Sequence, residues 1–156
     1  MSGLTTLHFL KPGMHTLIQD AGRSGHQASG IPMSGALDKT SAAAANFCVG
    51  NPASSPVLEI TMIGPVIHFD GDCQIAVTGA EMIPKVNGEP VARYQTIDIT
   101  SGSELSFGKI HSGCRAYLAV HGEWQVAKWL DARVTRLLND DEYGWTEFWN
   151  EIKVGS

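Results

Sequence analysis

Between Val57 and Val120 six short runs rich in Val, Ile and Thr follow one another so closely that no helix fits between most of them: Val57–Thr61, Val66–Phe69, Gln74–Thr78, Thr96–Thr100, Leu105–Gly108 and Arg115–Val120. β-branched and aromatic residues suit a pleated, half-buried surface, and parallel strands need crossovers of a dozen or more residues. The spacing therefore predicts a mostly β, mostly antiparallel fold, its sheet rolled into a barrel or sandwich. Between Val86 and Val91 the pair Asn87-Gly88 accepts positive φ at both central positions of a tight turn, which places a hairpin there.

One helix is expected near residues 38–49. Asp38 stands where a side chain can cap free amides, four consecutive alanines follow Ser41, and Gly50 supplies a left-handed stop. Residues 1–35 hold six glycines with Pro12 and Pro32 among them, so this opening segment reads as loop-rich. The far end reads as helical: Val126, Trp129, Leu130, Val134, Leu137 and Leu138 recur at helical spacing, as do Trp145, Phe148, Trp149 and Ile152. All four tryptophans fall between Trp124 and Trp149, and the expected division is a β domain over 1–122 with a Trp-rich helical tail over 123–156.

Charge narrows the function. Sixteen acidic against eleven basic residues give a formal net charge of -5, and no cluster of Lys and Arg offers a surface for nucleic-acid phosphates. No apolar run approaches the ~20 residues that span a bilayer, and the N-terminus lacks the pattern of a signal peptide, so a cytoplasmic setting is expected. Cys48, Cys73 and Cys114 are odd in number and widely spaced, which favours free thiols over a disulfide framework. His111, Cys114 and His121 match no strong metal-ligand spacing, and no metal is expected. Gly22-x-x-Gly25 lacks both a preceding Rossmann strand and a P-loop Lys-Ser/Thr ending.

Two segments could carry chemistry. In Gln19-Asp20-Ala21-Gly22-Arg23-Ser24-Gly25, followed by Gly30-Ile31-Pro32-Met33-Ser34-Gly35-Ala36-Leu37-Asp38, glycines are interleaved with polar groups. Glycine admits a ligand close to the backbone, a guanidinium grips a carboxylate with two parallel hydrogen bonds, and an aspartate can accept a proton. The same residues could equally knit one irregular turn together. Thr78-Gly79-Ala80-Glu81, at the end of an expected strand, can present amides and a hydroxyl to a ligand, or form an ordinary turn.

Taken in order, Pro12-Gly13, Gln19-Asp20-x-Gly22-Arg23-x-Gly25, Gly30-x-Pro32-x-Ser34-Gly35-x-x-Asp38, Ala45-Asn46, Val49-Gly50-Asn51, Leu58-Glu59-Ile60-Thr61, Gly64-Pro65, Thr78-Gly79-Ala80 and Arg115–Val120 resemble the first half of the KipA-like carboxyltransferase family. That family includes the C subunit of 5-oxoprolinase and also goes by allophanate hydrolase subunit 2. The resemblance covers roughly residues 10 to 120 and implies a cyclophilin-like β-barrel. It further implies one component of an ATP-dependent, amide-cleaving complex of the 5-oxoprolinase type, with a KipI-like protein and a LamB/YcsF-like protein as partners. ATP would be the cofactor of the complex, not of this chain alone, and activity would require the partners. In that setting Arg23 would hold a small carboxylate, Asp20 and Gln19 would act on or orient it as the catalytic pair, and Ser34, Asp38, Thr78 and Gly79 would shape its binding site. Two other roles fit the same resemblance: a non-catalytic module that antagonises a KipI-like partner, and the carboxyltransferase part of a biotin-dependent urea carboxylase. Family members run to roughly twice this length, so an apolar face that a second half would cover is expected to promote association, including self-association. His121-Gly122 stands where the family shows Gly-Gly, and Asp131-Ala132-Arg133-Val134-Thr135 where it shows Gly-Ser-Arg-Ser-Thr, which removes backbone freedom and a hydroxyl from any pocket built there.

Overall fold

The computed structural model of the chain describes residues 3–11, 13, 15–19, 38–110, 113–125 and 151–155. These form one helix and twelve strands in two antiparallel sheets. The larger sheet contains β1 (Leu4–Lys11), β4 (Val66–Asp70), β6 (Met82–Val86), β7 (Glu89–Pro90), β9 (Glu104–Ile110), β11 (Glu123–Gln125) and β12 (Glu151–Gly155), in the order β11-β12-β1-β4-β9-β6-β7. The smaller contains β2 (His15–Gln19), β3 (Val57–Thr61), β5 (Cys73–Gly79), β8 (Ile97–Ile99) and β10 (Arg115–Val120), in the order β2-β3-β10-β5-β8. Among the described residues no ladder joins the two, so the mostly β fold expected from the sequence is present as two stacked sheets and the closed barrel is not.

Period-two alternation explains the stacking. Leu7, Phe9, Ile67, Phe69, Met82, Leu105, Ile152 and Val154 of the larger sheet meet Leu58, Ile60, Ile75, Val77, Ala116, Leu118 and Val120 of the smaller in a single buried core. The smaller sheet is covered on its other face too. There Val57, Ala76, Tyr117 and Ala119 pack against Ala42, Ala45 and Val49 of the helix α1 (Lys39–Cys48) and its C-terminal cap. Double coverage is why β10 is buried at every position from Ala116 to Val120 and reads as an unbroken apolar run.

The helix begins and ends as its residues dictate. Asp38 accepts from the Ser41 amide at 3.0 Å, a helix N-cap, and Gly50 takes φ of +76° just past the end. Beyond it, buried Asn46 donates to the carbonyls of Ser55 (2.9 Å) and Ala53 (3.3 Å), while Asn51 donates to Val120 O (2.9 Å) and accepts from Gly122 N (3.0 Å). These two asparagines tie the loop after α1 to itself and to the end of β10. At Asn87 and Gly88 φ is +52° and +84°, the two left-handed values that the β6–β7 hairpin requires.

Two expectations need correction. Residues 1–35 are not all loop, since β1 and β2 lie among them: Leu7 and Phe9 alternate with His8 and Leu10, a strand signal masked by the surrounding glycines and prolines. The tail over 123–156 is not helical at either described end. Glu123–Gln125 and Glu151–Gly155 are strands, and β12 fits between β1 and β11, with Ile152 and Val154 inward and Glu151 and Lys153 exposed. Ile152 belongs to this two-residue alternation and not to the helical spacing of Trp145, Phe148 and Trp149, which with the rest of 126–150 lie outside the described residues. No helix among the described residues is long and apolar enough to cross a membrane.

Replacing Asn46 with Ala removes both donors from two loop carbonyls and is expected to lower stability by about 1 to 3 kcal/mol, measured by denaturant titration. An unchanged midpoint would show that the loop after α1 does not depend on this side chain.

Candidate functional site

α1 is too short to cover the whole helix-side face of the smaller sheet. Where it stops, at its N-terminus, that face turns polar. Residues opposite one another on antiparallel strands share a face, so the pairings Tyr117↔Glu59, Tyr117↔Thr78 and Arg115↔Thr61 place these five side chains together on it.

Glu59 is 4% exposed and Tyr117 fully buried. The Tyr117 hydroxyl donates to Glu59 Oε2 at 2.7 Å and accepts from the Asp38 amide at 2.9 Å. Burial first, and then the acceptor carboxylate, push the Tyr117 hydroxyl well above its usual titration range, so it stays protonated. Arg115 Nε lies 3.9 Å from Glu59 Oε1. One buried carboxylate thus faces a phenol and a guanidinium carried on the neighbouring strand.

Asp38 closes one side. Its carboxylate accepts from the Ser41 hydroxyl at 2.6 Å and the Ser41 amide at 3.0 Å, and these bonds hold it below the usual range for an aspartate. The other side is a turn formed after β5. Gly79 adopts φ of +88°, and a Cβ there would come within 2.6 Å of Arg115 O. Its amide donates to the Tyr94 hydroxyl (3.0 Å), and its carbonyl accepts from Arg93 Nη1 (2.6 Å), which also reaches Ala80 O at 3.4 Å. The Arg93 guanidinium lies 5.3 Å from the centre of the Tyr94 ring. Tyr94 has φ of +61°, a conformation seldom adopted by a bulky side chain and held here by its amide bond to Val77 O at 2.9 Å. Between these walls lies a pocket of about 450 Å³ lined by Asp38, Ser41, Gly79–Glu81, Arg93, Tyr94, Gly113–Arg115 and Tyr117.

Of the residues chosen from sequence, Asp38 and Gly79 meet in this pocket. Thr78 is beside it, but its hydroxyl donates to Ser41 O at 2.6 Å and serves to dock the helix onto β5. Gln19 is buried on β2, on the face it shares with Val57, and does not line the pocket; its Oε1 has no hydrogen-bond partner among the described residues. Asp20, Arg23 and Ser34 lie outside the described residues. Sequence reasoning passes over Arg93, Arg115, Glu59 and Tyr117 as site residues. The available signal is a glutamate set between Leu58 and Ile60 in an apolar strand, opposite an Arg-x-Tyr alternation, since a buried charge demands a partner. Cys114 lines this pocket while His121 lines a separate one near Cys73, so the two do not share a site. No group of three metal-ligating side chains occurs among the described residues.

Chemically the pocket pairs a guanidinium with no acidic partner among the described residues, Arg93, with a second whose charge is partly met by Glu59. Residues 29–140 match the family described as carboxyltransferase domain, subdomain A and B. The chain is 39% identical over 137 residues to urea amidolyase of Saccharomyces cerevisiae, covering 87% of this chain and 8% of that one. It is 37% identical over 116 residues to the C subunit of 5-oxoprolinase from Escherichia coli, covering 74% of this chain and 37% of the relative. The crystal structure of K. lactis urea amidolyase superimposes with a TM-score of 0.75 at 40% identity, over 82% of this chain and 8% of that one. The chain therefore spans well under half the length of these relatives.

Two outcomes test this geometry. Gly79→Ala should lose about 1 to 3 kcal/mol from the left-handed backbone alone, with the clash against Arg115 O adding to it, read as a lower melting temperature. Asp38→Ala should cost about 1 kcal/mol as a lost helix cap. Because folding lowers the Asp38 pKa from 3.8, its contribution is present above that value and is lost as pH falls through the lower folded value. The difference between wild type and Asp38→Ala should accordingly shrink on acidification below about pH 4. A gap that widens instead would contradict the capping role.

Proposed function

The chain belongs to the carboxyltransferase domain, subdomain A and B, family, and on that footing we propose that it supplies one wall of a small-carboxylate site in an amide-cleaving complex of the 5-oxoprolinase type. The observation that carries this reading is Arg93. Its guanidinium is held by two backbone carbonyls and the Tyr94 ring at the rim of the pocket and forms no ion pair with a described carboxylate, although Asp38 and Glu81 line the same pocket. A preorganised guanidinium binds a carboxylate with charge-assisted hydrogen bonds, and Arg115 on β10 offers a second contact. ATP-driven ring opening would then be completed by partners of the KipI and LamB/YcsF types, and Arg23, Asp20, Gln19 and Ser34 would contribute from the segment before α1.

A second reading, the carboxyltransferase unit of a urea carboxylase, is favoured by the longer match to urea amidolyase, 87% of this chain against 74%.

Calorimetric titration with 5-oxoproline, together with ATP-dependent 5-oxoproline cleavage in the presence and absence of the partner proteins, separates them. Wild type should bind 5-oxoproline and support cleavage only in the mixture. Arg93→Ala should weaken binding by about 2 to 3 kcal/mol with a small change in melting temperature, and Arg23→Ala should act in the same direction. Partner binding without turnover would point to the non-catalytic antagonist role, urea-dependent carboxylation to the second reading, and unchanged affinity in Arg93→Ala would sink the pocket assignment.

A further inference from the structure

Glu59 is the one acidic side chain buried in the smaller sheet among the described residues, set on its strand between the apolar Leu58 and Ile60. Among the described residues its carboxylate meets the same end of the pocket at two points. Oε1 faces Arg115 Nε at 3.9 Å, and Oε2 accepts a hydrogen bond from the Tyr117 hydroxyl, whose oxygen in turn accepts from the Asp38 amide. The Tyr117 hydroxyl is thereby spent in both directions and offers no donor to a ligand. Arg115 is different. Its Nε edge lies within ion-pair range of Glu59 at 3.9 Å, longer than a hydrogen bond; its side chain is one-third exposed, and its terminal nitrogens have no hydrogen-bond partner among the described residues while the residue lines the pocket.

We propose that Glu59 is a positioning residue: by attracting the Nε edge of Arg115 across 3.9 Å it biases the two terminal amines of the guanidinium toward the pocket and so sets the affinity for the carboxylate bound there. The inference rests on the reading of the pocket as a carboxylate site. Its distinguishing feature is that a lysine at position 115, though equally charged, has a single ammonium and cannot face Glu59 and the ligand through separate nitrogens.

The test is a double-mutant cycle read by calorimetric titration with 5-oxoproline, using Glu59→Gln, Arg115→Ala and the pair, with Arg115→Lys alongside. Glu59→Gln should weaken binding about tenfold in the wild-type background and have almost no further effect once Arg115 is Ala. Arg115→Lys, at a partly exposed position and with the charge facing Glu59 kept, should lose affinity to a similar degree. Equal losses from Glu59→Gln in both backgrounds would show a purely structural carboxylate and overturn the proposal, as would wild-type affinity in Arg115→Lys. If Glu59→Gln fails to fold, Glu59→Asp, which keeps the charge but draws it back from Arg115, takes its place in the cycle with the same expected and overturning outcomes. Failure of the unsubstituted protein to bind would overturn the pocket reading itself, whereas binding by wild type that is indifferent to both substitutions overturns only the role of Glu59.

Discussion

The described residues are arranged around a small sheet that must be dry on both faces. β10 runs through its middle with Ala116, Leu118 and Val120 against the larger sheet and Tyr117 and Ala119 against the helix. A central strand buried on both sides tolerates polar groups only where each is answered by another, because an unpaired charge or donor in such surroundings costs several kcal/mol. The Glu59–Tyr117–Asp38 chain of hydrogen bonds meets that demand where α1 gives out, and the pocket is the space left beside it. The helix of ten residues is thus as informative for what it leaves uncovered as for what it covers.

Much of this frame is legible from residues alone. β3 and β10 coincide with apolar runs whose length and β-branching leave little choice, and the β6–β7 turn is written in Asn87-Gly88. The helix is marked by its cap and its stop. β1 and β2 are harder to see because Gly13 and Pro12 break the pattern between them. β12 is obscured because Ile152 fits two periods at once, and only its pairing with Thr6 and Leu7 across the length of the chain selects the strand. Local periodicity carries no information about such a distant partner.

The pocket is less legible for a related reason. Asp38 and Gly79 are recognisable because a cap and a left-handed turn have local signatures. Glu59 and Tyr117 lie 58 residues apart and meet only through strand register, while Arg93 acquires its direction from carbonyls at Gly79 and Ala80. Several of the described motif residues also fall into two groups once placed. Asn46, Gly50, Asn51 and Thr78 hold α1 and its following loop onto the sheet, whereas Asp38, Gly79 and Arg115 face the pocket. A motif series that looks uniform in sequence is partly a record of how one helix is fastened.

The outermost strands have a bearing on handling the protein at high concentration. β7 ends the larger sheet with two residues, one of them Pro90, which has no amide hydrogen to donate, and Glu89 beside it is exposed. β8 ends the smaller with three residues and carries Asp98 outward, hydrogen-bonded to Gln74 at 3.1 Å. A long flat border would template stacking of one molecule's backbone on the next, while a border this short and this acidic offers too few consecutive unpaired groups for that. Among the described residues, these two margins give little template for fibrous aggregation, whatever the stability of the interior.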